Sequence, residues 1–142
     1  MKKLKGNLTK DLTVDNYAVN QTEVARITEN ALAHARRVQK FLDWMNWAEN
    51  PSINAWWRSK AYNSRVGGVK NSLHLTGEAT DLGSSKFSTF TEARFDKYAK
   101  KWFEICDEDG VKGEFGIYPW GIHLGSNIQY SKKHYRFDKR AA

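Results

Sequence analysis

Three observations predict an α+β fold, one small antiparallel sheet flanked by helices. Two long stretches repeat apolar residues every three or four positions, several short apolar runs are punctuated by Gly and Pro, and 142 residues suffice for one core. The whole chain, 1–142, is expected to form a single domain with its core in about residues 20–138.

The first twenty residues are polar with scattered aliphatics, as in an arm or short strand. From Asn20 the pattern turns helical. Val24, Ile27, Ala31, Ala35, Val38, Leu42 and Met45 share a face, and Asn20 with Glu23 can cap it, so a helix is predicted from about Gln21 to Asn46. "ENP" at 49–51 closes it, and "INAWW" at 53–57 is a short strand-like run. A segment rich in Gly, Ser and Asn follows over 59–77, and "EATDLG" marks a strand end. A second helix is predicted from about Thr89 to Asp107, with Phe90, Ala93, Tyr98, Trp102, Phe103 and Cys106 inward. "EFGIYPWGIHLG" suggests two short strands joined by a tight turn, and "HYRFD" at 134–138 alternates like a last edge strand.

The formal charge of +7 implies attraction to polyanions: nucleic acid, an anionic membrane surface or an acidic cell-wall polymer. No nucleic-acid motif accompanies the basic stretch "SKKHYRFDKR", so nucleic acid is not the expected partner. The single cysteine, Cys106, excludes an intrachain disulfide and a cysteine-rich zinc site. The N-terminal lysines precede no apolar run, so neither a signal peptide nor membrane insertion is expected. A monomer made in the cytoplasm is expected, reaching anything outside by another route.

Of four histidines, His34 lies beside Arg36 and Arg37 and is expected on a solvated helix face; His134 follows two lysines and is expected at the surface. His74 and His123 sit in Gly-flanked apolar settings, where a buried imidazole needs a partner. Asp81 stands between Thr80 and Leu82, and a carboxylate buried there must be paired or metal-bound. Two imidazoles and a carboxylate make a zinc set with a fourth position open. Spacing alone leaves that and a pair of satisfied core histidines as equal alternatives. Among the tryptophans, Trp44, Trp56 and Trp102 are assigned to the core, and Trp120, just before His123, to substrate contact.

"SLHLTGEATD", residues 72–81, resembles the Ser-x-His-x-x-Gly-x-Ala-x-Asp signature of the zinc D-Ala-D-Ala carboxypeptidase and phage L-alanoyl-D-glutamate endopeptidase family. Ser72, His74, Gly77, Ala79 and Asp81 fit its fixed positions, and the flanks "WWRSKAYNSRVGGVKNS" and "GEFGIYPWGIHLG" are similar to the family's over roughly residues 20–130. The resemblance implies a hedgehog/D,D-peptidase-like fold and Zn2+ held by His74, Asp81 and His123. It implies Arg58 on a substrate carbonyl or carboxylate, and Ser72 positioning the peptide. It also implies a peptidoglycan stem peptide cut beside a D-residue. Most relatives place an acidic residue three positions before the last zinc histidine or two after it; here those positions hold Trp120 and Gly125. Glu114 is the nearest acidic candidate for general base, while Glu78 should point away from Asp81. Two classes follow: a phage-type endolysin whose base has moved to Glu114, or a weakened or inactive zinc domain that grips peptidoglycan or a protein.

Overall fold

The computed structural model describes residues 7–19, 21, 27–45 and 49–140. Its elements are α1 (Val14–Tyr17), α2 (Glu29–Met45), β1 (Ser52–Ala55), α3 (Lys60–Arg65), β2 (Ala79–Gly83), α4 (Glu92–Glu108), β3 (Gly113–Tyr118), β4 (Gly121–Ser126) and β5 (Tyr135–Asp138). Single 3-10 turns at Leu73–Thr76 and Ser85–Thr89 precede and follow β2.

The α+β class holds, with five strands in the order β1-β2-β4-β3-β5. The sheet is mixed rather than wholly antiparallel, because β5 runs parallel to β3 along the edge. The eight-residue connection from β4 to β5 carries the chain past β3 to its free edge, which a tight hairpin, returning beside β4 itself, cannot do.

Local chemistry sets the helix ends. Helix α2 begins at Glu29 rather than near Gln21, which is not helical. Thr28 accepts the backbone N–H of Ala31 at 3.1 Å and supplies the cap. The predicted cap residues Asn20 and Glu23, with Val24 and Asn46, lie outside the described residues. Helix α4 starts behind its cap Thr91, a little later than expected. Its inward face is Phe95, Tyr98, Ala99, Trp102, Ile105 and Cys106; Ala93 is exposed and Phe103 half-buried, stacked on the ring of His134 at 4.4 Å. Phe90, expected on that face, is buried but precedes the helix.

The N-terminal arm is part of the core. Asn7 bridges Thr13, a capping box on Thr13 opens α1, and Leu12, Tyr17 and Ala18 are buried. Strand alternation divides the sheet into two faces. Leu82, Phe115, Ile117, Ile122 and Leu124 point to the buried face with Trp102, Phe41 and Val38 from α4 and α2. The other face carries Asp81, His123, Glu114, Tyr118 and Phe137 and is open. Among the described residues no helix is long and apolar enough to cross a membrane.

Candidate metal centre

Asp81 on β2 pairs directly with His123 on β4, so both side chains leave the sheet on the open face. His74 reaches them from the 3-10 turn before β2. Ser72 caps that turn, its hydroxyl accepting the N–H of His74 at 3.1 Å. Gly77 ends it at φ 74, a left-handed backbone that also leaves room for the Tyr17 hydroxyl. The result is a buried trio, His74, Asp81 and His123, whose ligating atoms lie within 4.8 Å of one another.

Each histidine has an outer partner that aims it. His74 Nδ1 meets the carbonyl oxygen of Trp56 at 2.6 Å. A carbonyl only accepts, so Nδ1 carries a proton, and Nε2, 3.2 Å from Asp81, is the nitrogen that could give its lone pair to an ion. His123 is held the other way round. Its Nε2–H donates to Glu114 at 2.8 Å, and its Nδ1 faces Asp81 at 2.9 Å. Two imidazole nitrogens and a carboxylate thus converge, each imidazole backed by a second contact, which is the donor set and support that zinc takes.

The metal-free electrostatics agree. Burial works against charge on His123, yet the bonds to Asp81 and Glu114 outweigh it and raise its pKa to about 9. Burial likewise opposes ionisation of Asp81, but His74 and His123 hold its carboxyl well below the usual range. Glu114 is lowered too, burial again being overcome by its bond to His123. In the metal-free chain the two ionised carboxylates are thus balanced by imidazole protons, the charge that an ion held there would replace.

The centre opens into a pocket of about 470 Å3. Arg58, Ser72, Glu114 and the three candidate ligands all line it. Arg58 is 3.7 Å from Asp81 and donates to Asn63 at 3.3 Å, while its buried Nε has no acceptor among the described residues. Trp120 is not in this pocket; it is exposed and lines the neighbouring cavity. Glu78 points away, as expected, bonded to Asn127.

Glu114 and Gly125 face each other across β3 and β4. A Cβ on Gly125 would stand 2.6 Å from Glu114 Oε1, so the carboxylate occupies the space that a side chain at 125 would fill.

Several site residues escaped sequence reasoning. Tyr130 donates to Glu114 at 2.5 Å, and Tyr118, Tyr135 and Phe137 wall the pocket. Period-two spacing from Glu114 signals Tyr118, since 114, 116 and 118 share a face; Tyr130, in an irregular loop, carries no such signal. His34, expected in solvent, is fully buried on the opposite face.

Compared with known proteins, residues 7–107 match the peptidase M15 family. No curated protein and no solved structure matches the chain.

Proposed function

The chain belongs to the peptidase M15 family, the family of the zinc D-Ala-D-Ala carboxypeptidases, and from that premise we propose that it is a zinc peptidase cutting peptidoglycan stem peptides beside a D-residue. The observation that carries this is the convergence of His74 Nε2, Asp81 and His123 Nδ1 in one pocket, each histidine with an outer partner.

These three residues would hold the ion. Zinc bound there supplies a Lewis acid that polarises a carbonyl and lowers the pKa of water to ~7. The chain's own groups do the rest. Arg58 offers an unpaired buried N–H and a planar fork to a substrate carbonyl or carboxylate oxygen. Ser72, besides capping the turn of His74, presents its hydroxyl to the peptide at the pocket wall. Glu114 is the general base: ionised, at the pocket wall, it takes a proton on a carboxylate oxygen and returns it to the leaving amine. Tyr130 and His123 fix that carboxylate in the meantime.

A phage-type endolysin is the setting we propose, acting on the wall after release from the cytoplasm. The charge of +7 suits a wall bearing phosphates and carboxylates. Wall binding should therefore weaken with added salt, since exposed charges are screened beyond ~8 Å at physiological ionic strength. Gly125 favours one other possibility, a domain that keeps the metal and grips peptidoglycan or a protein without cutting it. The test is release of new amino termini from purified peptidoglycan, by the zinc-loaded chain beside its Glu114→Gln variant. Cleavage that the substitution removes supports a peptidase with a relocated base. A zinc-loaded chain inert on every wall type overturns it in favour of the binding domain.

A further inference from the structure

On the same open face, beyond Tyr118, lies a second cavity of about 540 Å3 that the proposed chemistry does not use. Ser52 and Asn54 of β1, Ser84, Ser85 and Ser88 after β2, and Trp120 form its walls. The metal pocket is dense with charge; this one is lined by hydroxyls and amides. Glu49, also at its wall, is 2% exposed and has both oxygens engaged, by Arg94 and Tyr98. Lys86 contributes one cation. Hydroxyls and amides both donate and accept, so they suit a neutral ligand bearing the same groups better than an ion.

Trp120 makes a fixed platform. It is 41% exposed, stacks on Tyr118 at 4.7 Å with 14° between the planes, and its carbonyl accepts the N–H of Ser84 at 3.2 Å. One indole face is thus backed, leaving the other for a ligand. The electron-rich face of an indole attracts the polarised C–H groups of a sugar ring. Asn54 is placed equally firmly: Ser52 donates to its Oδ1 at 2.8 Å, and its amide lies over Gly83, where a Cβ would come within 2.1 Å of Nδ2. An aromatic plate beside a preset amide and several hydroxyls is a saccharide-binding arrangement that costs little ordering on binding.

We propose that this cavity is a saccharide subsite taking a neutral N-acetylated sugar of a glycan, stacked on Trp120 and hydrogen-bonded by Asn54 and the serines. Resting on the peptidoglycan-peptidase proposal, the subsite holds the glycan while its stem peptide enters the metal pocket. Tyr118 lines that pocket and Trp120 this cavity, so one stacked pair separates sugar from peptide.

The probe is a chitin trisaccharide titrated into the full, zinc-loaded chain, followed by the indole N–H resonance of Trp120 and by tryptophan fluorescence. Saturable binding is expected, weakened about tenfold or more by Trp120→Ala and by Asn54→Ala. Asn54 is an exposed residue of an edge strand, so its variant leaves the core intact should Trp120→Ala fail to fold. No saturable shift at millimolar sugar in the unsubstituted chain, or equal affinity in the folded variants, overturns the subsite. Sugar binding by a chain that cuts no peptidoglycan upholds the subsite and removes the peptidase proposal instead, which keeps the two failures apart.

Discussion

His34 and His123 are both buried imidazoles on opposite faces of one sheet, and their surroundings push them in opposite directions. His34 on the core face bonds two hydroxyls, Ser126 at 2.7 Å and Thr80 at 3.0 Å, between the rings of Trp56 and Trp102, with the Arg37 guanidinium nearby bonded to Ser126 and Asp109. Burial first, and then Arg37, hold it well below the usual histidine range. His123 lies between two carboxylates and is raised to about 9. Burial alone suppresses a charge, and carboxylates placed on both ring nitrogens restore it. One cluster lies in the core, and the other is the candidate metal centre.

The sharpest break of this contrast is Asp81→Ala, which should abolish peptidoglycan cleavage in a chain that still folds, whereas His34→Leu should leave cleavage per folded molecule intact. Next comes Glu114→Gln. Loss of its proton transfer should lower kcat by about 10²–10⁴-fold. Its lost grip on His123 should separately weaken zinc by about 10–100-fold, read by competition with a chelator. The core-face cluster responds in stability: His34→Leu takes from Thr80 its imidazole partner and leaves Ser126 with Arg37 alone, and should cost about 2 kcal/mol in denaturant unfolding.

Acidity gives the two histidines opposite signs. The folded pKa of His34 lies below 6.5, so the unfolded chain binds its proton first, and stability falls as pH drops below about 6.5. The slope is at most about 1.4 kcal/mol per pH unit, and His34→Leu should flatten it. In the zinc-free chain His123 is raised, so its contribution is full below about 6.5 and is lost as pH rises through about 9. Unfolding of zinc-free chains across this range checks both signs. The smallest effect concerns Cys106, buried behind the sheet and pushed up to about 12 chiefly by burial; it should resist alkylation until the chain unfolds.

The open face was more legible in the sequence than the buried one. Ser72, His74, Gly77 and Asp81 lie within ten residues, so local spacing announces them, and a polar residue in a Gly-flanked apolar run marks His123. His34 was misplaced because Arg36 and Arg37 made its surroundings look solvated. Arg37 is itself buried, and Gln39 is covered by the N-terminal arm through Thr9 and Asp11. Helical periodicity gives a phase, and it does not show that an arm will cover the polar flank. The Glu114–Gly125 exchange needs the β3–β4 register, and the parallel course of β5 needs its long connection; neither is encoded locally.

The most direct measurement is a zinc titration of the metal-free chain beside Asp81→Ala and His34→Leu. One zinc per chain in the unsubstituted protein and in His34→Leu, with none retained by Asp81→Ala, is the expected result. Zinc held equally well without Asp81, or no zinc bound at all, would contradict a metal centre at His74, Asp81 and His123.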